Sequence, residues 1–69
     1  MPLTMLPTGT EETVKAVRGK DETRRFLENL GFVQGGVVTV VSQMAGNVIV
    51  SIKGTRVAIS KSMANRIMV

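Results

Sequence analysis

Residues 37–60 read VVTVVSQMAGNVIVSIKGTRVAIS. This stretch is rich in β-branched residues, which favour strands. From residue 48 onward, apolar side chains occupy alternate positions, as they do when one face of a strand is buried. Ala-Gly-Asn at 45–47 and Lys-Gly-Thr at 53–55 are turn sequences. The stretch therefore predicts three consecutive antiparallel strands joined by tight turns.

The region upstream of this meander predicts one α-helix, over residues 21–30. Asp21 is expected to be its N-cap, because a carboxylate oxygen can accept hydrogen bonds from the free N–H groups of the first turn. Gly31 is placed to end the helix in a left-handed conformation, with Phe32 packing back against Leu27. The apolar stripe expected to face the core consists of Phe26, Leu27 and Leu30.

Shorter elements are predicted on either side of these two segments. Residues 11–18 are expected to form one strand with Val14 and Ala16 on the same face. Leu3 and Leu6 lie in a proline-containing lead-in and are expected to cover one end of the core.

The C-terminal residues complete the predicted fold. A short helical turn near residues 61–65 is expected to be capped by Ser60 or Ser62, and residues 67–69 read as a last short strand. The whole pattern predicts a mostly-β domain of five short strands and one helix. A partly open barrel is the favoured arrangement, because closing the sheet removes most exposed strand edges.

The residue types that carry most enzyme chemistry are missing from this chain. It contains no histidine, cysteine, tyrosine or tryptophan, so neither an imidazole nor a thiol is available as a base or nucleophile. Ser-Lys-Ser at 60–62 is interpreted as a helix cap beside an exposed lysine. Asp21 and Glu22 are adjacent on a helix start and point in different directions, which makes a poor acid/base pair. The sequence predicts that the protein is not an enzyme.

Metal binding has weak support from the residue types. The five methionines could offer thioether ligands to a soft ion such as Cu(I), but methionines scattered along a valine-rich chain are interpreted as core fillers. The chain lacks both cysteine and histidine, the usual zinc ligands. We therefore predict no cofactor and no metal site.

The net charge of +4 leaves nucleic-acid binding open as an alternative. Single-strand binders normally add aromatic rings on which bases stack, and both rings of this chain, Phe26 and Phe32, are assigned to the core. Nucleic acid is therefore the less favoured partner, bound at best through phosphates. The basic residues that could form such a face are Arg18, Lys53, Arg56, Lys61 and Arg66.

Length and hydropathy place the chain among soluble proteins. Its 69 residues suit one domain, covering residues 1–69. No apolar run approaches the roughly 18 residues of a membrane span, and no leader pattern precedes the domain. We expect a cytoplasmic protein that is not embedded in a membrane.

Residues 25–35, RFLENLGFVQG, resemble the central motif of the FeoA family, in which Leu-Gly ends a helix and a second glycine opens a run of strands. The lead-in and the tail from Gly54 onward are also similar, so the resemblance covers nearly the whole chain. Many family members have proline where this chain has Gln34 and Val48. Each motif is short, and it is their order and spacing that make the resemblance specific.

The resemblance implies an SH3-like barrel and association with FeoB, a membrane transporter with a cytosolic G domain. It implies a non-catalytic adaptor in bacterial ferrous iron uptake, with any Fe²⁺ association of the chain itself weak or indirect. An iron chaperone is a third hypothesis. The exposed charges expected to contact the partner are Arg24, Arg25, Lys53 and Arg56.

Overall fold

The computed structural model describes all residues 1–69. The strands are β1 (Glu11–Thr13), β2 (Ala16–Val17), β3 (Val37–Met44), β4 (Asn47–Ile52), β5 (Thr55–Ser60) and β6 (Ile67–Met68). The α-helices are α1 (Asp21–Leu30) and α2 (Lys61–Ala64), and a 3₁₀ helix covers Leu3–Met5. The mostly-β prediction is confirmed, but the structure has six strands where the sequence predicted five.

The strands form two antiparallel sheets. The larger sheet has the order β1-β3-β4-β5, and β2 pairs with β6 in the smaller one. The predicted meander is confirmed as the β3–β4 and β4–β5 hairpins. In β3 the register shifts between Val40 and Ser42, so Val41 is an extra residue that bends the strand.

The predicted strand over residues 11–18 is divided, which accounts for the additional strand. Val14 forms two backbone hydrogen bonds with the adjacent glycines 35 and 36. Its N–H donates to Gly36 O and its C=O accepts from Gly35 N–H, both at 2.8 Å. The next residue, Lys15, already donates to Met68 O of the other sheet at 2.8 Å. The alternation of side chains breaks at this change of sheet. Val14 is buried while Ala16 is exposed, so the prediction that they share a face is wrong.

The core lies between the two sheets and α1, and every buried residue is hydrophobic. Leu3 and Leu6 belong to it, as expected of the lead-in. The largest contribution comes from the inward-facing positions of β3 and β4, which are Val38, Val40, Val48, Val50 and Ile52.

The start of α1 differs from the prediction. The N-cap is Lys20, with no side-chain capping bond, and Asp21 is the first helical residue. Its carboxylate instead accepts a hydrogen bond from Arg24 Nη2 at 2.7 Å. Asp21 and Glu22 still lie in the first turn, where negative charge interacts favourably with the helix dipole.

The end of α1 follows the prediction. Gly31 has a left-handed backbone with φ 111°, and its N–H donates to Glu28 O at 2.9 Å. Phe32 N–H donates to Leu27 O at 3.0 Å, which completes a Schellman motif. Phe32 and Leu27 are both fully buried in the core cluster, where the hydrophobic contact of this motif is expected.

Helix α2 is a single turn with a defined cap. Ser60 Oγ accepts a hydrogen bond from Met63 N–H at 3.1 Å, which selects Ser60 over Ser62 as the capping residue. The helix ends at Ala64, one residue before the predicted limit.

Candidate functional site

The chemistry-bearing side chains of this protein lie on its surface. No three of its carboxylates come together in a way that could hold a metal ion. The buried residues include no polar or charged side chain. The candidate site therefore consists of exposed charges and exposed apolar groups.

The outer face of α1 forms a shallow open depression of about 580 Å³, which we call the helix surface. It is lined by Asp21, Glu22, Arg25, Phe26 and Asn29. Phe26 is 49% exposed there, so the prediction that it belongs to the core is wrong. The helix surface thus combines one aromatic ring with charges of both signs.

The position of Phe26 on the helix explains its exposure. Residues three and four apart share a helix face, and the buried face of α1 is centred on Leu27, with Thr23 and Leu30 partly buried beside it. Phe26 lies at the edge of this face, one turn after Glu22. The buried stripe of α1 is narrow, and Phe26 falls just outside it.

The two arginines of α1 have different environments. Arg24 forms an ion pair with Asp21 at 2.7 Å, and the two side chains are 46% and 71% exposed. Such an exposed pair contributes about 1 kcal/mol or less to stability. Arg25 lines the helix surface beside Phe26. Of the two, Arg25 is therefore the one whose charge is free for a partner.

Lys53 and Arg56 lie together at the β4–β5 hairpin, which we call the hairpin surface. Lys53 and Gly54 have φ values of 51° and 77°, the positive pair that a two-residue type I′ turn requires. Arg56 is opposite Ser51 on β4, and both basic side chains are exposed. Lys53 is the only residue other than glycine with a positive φ.

A close backbone approach links α1 to this hairpin. A Cβ built on Gly31 would lie 3.2 Å from Ile52 Cδ1, so the end of the helix rests against the base of the hairpin. Arg25 lies about 1.7 turns before Gly31, which is about 9 Å along the helix axis. The structure thus places the four predicted partner residues on two neighbouring elements rather than in one cluster.

Charge is distributed unevenly along the chain, a feature that the sequence-based prediction missed. All five carboxylates precede residue 29, and over that part of the chain basic and acidic side chains are equal in number. The whole net charge of +4 therefore comes from residues 29–69. Those basic residues are Lys53, Arg56, Lys61 and Arg66.

The family of this chain follows from a comparison with sequence models of known protein families. The sequence model described as the FeoA domain matches residues 1–69. The chain belongs to the FeoA family. No curated protein matches this FeoA-family chain significantly in a sequence search.

Solved structures of FeoA proteins have the same fold as this family member. An iron uptake regulatory protein, FeoA, is 29% identical with a TM-score of 0.91, over 99% of this chain and 92% of that one. FeoA of Stenotrophomonas maltophilia in complex with zinc is 32% identical with a TM-score of 0.86, over 99% and 87%. The Stenotrophomonas protein is described as a prokaryotic SH3 domain protein and a candidate activating factor of ferrous iron transport.

The fold also occurs in a repressor. A manganese-dependent transcriptional repressor has a TM-score of 0.88 and 20% identity, over 97% of this chain and 39% of that one. This likeness shows the shared fold alone. Together with the FeoA structures it confirms the SH3-like prediction, although the two sheets here do not close into a complete barrel.

The helices of this FeoA-family chain are short. Neither is long and apolar enough to cross a membrane.

Proposed function

We propose that this chain is a non-catalytic adaptor of bacterial ferrous iron uptake that docks on the cytosolic part of the FeoB transporter. The observation that carries the proposal is the FeoA domain match over residues 1–69. The description of the Stenotrophomonas relative as a candidate transport-activating factor supports it. The chain then works in the cytoplasm, where the G domain of the transporter lies.

An adaptor of this kind acts by differential binding. If the transporter has two conformations, an adaptor that binds one of them more tightly shifts the population toward it. The adaptor needs no chemistry of its own for this, which suits a protein without histidine or cysteine and with only surface carboxylates.

The partner contacts are proposed to come from both surfaces described above. Arg25 and the half-exposed ring of Phe26 supply an anchor on the helix surface, since aromatic and arginine side chains are enriched in interface cores. Lys53 and Arg56 supply positive charge on the hairpin surface. Arg24 remains a candidate only if the partner displaces Asp21 from its ion pair.

Iron is the cargo of the transporter rather than a resident cofactor of the adaptor. Ferrous iron is bound in proteins mainly by imidazole, carboxylate and thiolate groups. This chain offers only carboxylates, and no three of them converge. An iron chaperone therefore ranks below the adaptor, and calorimetry that shows tight Fe²⁺ binding by the chain alone would reverse that order.

Nucleic-acid binding remains the alternative. It is favoured by residues 29–69, which contain no acidic side chain and supply the whole net charge. Because Phe26 is exposed, its ring is available for stacking on a base, which favours this alternative. That ring shares the helix surface with the carboxylates of Asp21 and Glu22, which would repel phosphates. The adaptor hypothesis is favoured on this ground.

A parallel titration tests the proposal. The full chain is titrated against the cytosolic part of FeoB and against a single-stranded oligonucleotide, each at low and high salt. We expect saturable binding to the FeoB part and only weak, salt-sensitive binding to the oligonucleotide. Strong oligonucleotide binding without FeoB binding contradicts the adaptor function. Loss of ferrous iron uptake in cells that lack the chain supplies the cellular readout.

A further inference from the structure

Strand β5 forms an open edge of the larger sheet. It pairs with β4 on one side and has no strand on the other. The backbone N–H and C=O groups of residues 55–60 take part in none of the hydrogen bonds that turns, loops and caps form. Helix α2 follows β5 and contacts it, but the strand's outer edge stays without a hydrogen-bonding partner.

The register identifies which backbone groups face outward. In a hairpin with a two-residue turn, the residues flanking the turn form a hydrogen-bonded pair, and such pairs then recur at every second position. Thr55 pairs with Ile52 and Val57 with Val50, so these residues bond to β4. The N–H and C=O groups of Arg56 and Ala58, and the N–H of Ser60, therefore point to the open edge.

The two edges of this sheet are unequal. The opposite edge strand, β1, has three residues, and two of them are the glutamates Glu11 and Glu12. Short edge strands and charged side chains are devices that discourage pairing with another chain. Strand β5 has six residues, no proline and no carboxylate, and its central exposed side chain is the small Ala58.

The charged residues within β5 and next to it in the chain have one sign. Lys53 precedes the strand, Arg56 lies within it and Lys61 follows it, and all three side chains are exposed. No carboxylate side chain occurs on β3, β4, β5, α2 or β6, since the last one in the chain is Glu28. An acidic strand laid along β5 would meet positive charge at both ends of the strand.

We propose that β5 binds an extended acidic segment of a protein partner as an added antiparallel or parallel strand. This inference rests on the proposed adaptor function, because the acidic segment would belong to the docking partner. Backbone hydrogen bonds to Arg56, Ala58 and Ser60 supply the affinity, and the flanking basic side chains select an acidic sequence. The helix surface and the hairpin surface then act beside this strand contact.

A second copy of the chain and a nucleic acid fit this edge less well. Two β5 edges brought together would place like charges next to each other, with a net charge of +4 on each copy. A copy could present its acidic β1 edge instead, but that edge offers only three residues. A nucleic acid has no peptide backbone with which to extend the ladder.

Amide hydrogen exchange of the native chain provides the first test. The chain is measured by NMR alone, with an eight-residue peptide of alternating threonine and glutamate, with its threonine–lysine counterpart, and with the cytosolic part of FeoB. We expect slower exchange at the amides of Arg56, Ala58 and Ser60 with the glutamate peptide and with FeoB. No protection from either ligand, or equal protection by the lysine peptide, overturns the proposal.

A matched pair of variants provides the second test. Ala58→Pro removes the central outward N–H, and proline is tolerated on edge strands. Ala58→Val keeps that N–H and changes only the side chain. Loss of one hydrogen bond predicts about fivefold to tenfold weaker binding of the glutamate peptide to Ala58→Pro, with little change for Ala58→Val. Equal affinities contradict the edge contact, and if Ala58→Pro does not fold, the exchange data on the native chain decide.

The same variants separate this inference from the proposed function. If FeoB binds native chain and folded Ala58→Pro equally well, the adaptor function stands and the edge inference fails. If FeoB does not bind the native chain, the adaptor function fails. Concentration-dependent self-association in sedimentation, abolished by Ala58→Pro, would assign the edge to a second copy and overturn the proposal.

Discussion

At the scale of single residues, Gly31 combines a backbone constraint with a packing constraint. Its φ of 111° is unfavourable for any residue with a Cβ, and that Cβ would lie 3.2 Å from Ile52 Cδ1. We expect Gly31→Ala to lower the free energy of unfolding by about 2 kcal/mol, from left-handed strain and overpacking together. Urea denaturation measures this loss of free energy.

Gly35→Ala is the matched control for this substitution. Gly35 has a φ of 87°, but no atom beyond the adjacent residues lies within 4 Å of the position that its Cβ would occupy, so only the strain cost applies. Ile52→Val removes the Cδ1 atom that the new methyl group meets. The double variant with Gly31→Ala and Ile52→Val should therefore lose less free energy of unfolding than the two single variants lose in sum. Equal costs for the two glycine substitutions would show that the contact with Ile52 is unimportant.

The two phenylalanines should respond very differently to truncation. Phe32 is fully buried, and Phe32→Ala is expected to cost about 3–5 kcal/mol, enough to unfold much of a domain this small. Phe26 is 49% exposed, and Phe26→Ala should cost about 1 kcal/mol. Thermal denaturation compares them. Unfolding of the Phe26→Ala variant would contradict this expectation and indicate that the ring belongs to the core.

At the scale of an element, the cap of α2 gives a direct prediction. Ser60→Ala removes the acceptor of the Met63 N–H bond and should cost about 1 kcal/mol. Ser62 is exposed and does not cap the helix, so Ser62→Ala should change stability by less than about 0.5 kcal/mol. Chemical denaturation of both variants tests this, and a larger loss for Ser62→Ala would contradict the assigned cap.

The β4–β5 turn gives a prediction of the opposite sign. Lys53 adopts a left-handed conformation that asparagine tolerates better, and Asn-Gly is a preferred type I′ pair. Lys53→Asn should therefore raise the free energy of unfolding by about 0.5 kcal/mol. Lys53→Gln removes the same charge without the conformational preference and should bring no such gain. Identical melting temperatures for the two variants would argue against a strained Lys53.

At the scale of the whole molecule, the carboxylate-free half of the chain predicts where a partner binds. Arg56→Glu should weaken binding to the FeoB cytosolic part about threefold to tenfold, because a favourable exposed ion pair of ~1 kcal/mol is replaced by repulsion. Lys15→Glu makes the same change in net charge near the other sheet and should have little effect. Calorimetry at moderate salt compares them, with melting temperatures as the folding control.

An equal loss of FeoB binding in both charge variants would mean that net charge, and not the hairpin surface, governs the interaction. Unchanged binding of a folded Arg56→Glu variant would remove Arg56 from the candidate site.

Several local features could be predicted from the sequence because short-range physics determines them. The meander follows from β-branched residues between glycine turns, and the end of α1 follows from Leu-Gly-Phe at 30–32. The bulge at Val41 and the break after Val14 could not be predicted. Both depend on which strand lies opposite, and that is decided by contacts between residues far apart in the chain.

The candidate site shows the same division. The four basic residues predicted to contact a partner are all exposed, as the sequence indicated, while their role in binding stays a prediction. The prediction that Phe26 belongs to the core is wrong, because helical spacing gives the direction of the buried face but not the width of the surface that the sheet can cover.

The amino-acid sequence was enough to predict a mostly-β domain with a helix that ends at Gly31, to establish the lack of histidine and cysteine, and to reveal the resemblance to FeoA that the family match confirms. These follow from residue identity and near neighbours. The three-dimensional structure was needed to show that the meander of residues 37–60 belongs to one of two sheets and that β5 is the open edge of that sheet. The reason is that strand order is set by long-range pairing, which the local pattern of a strand does not encode.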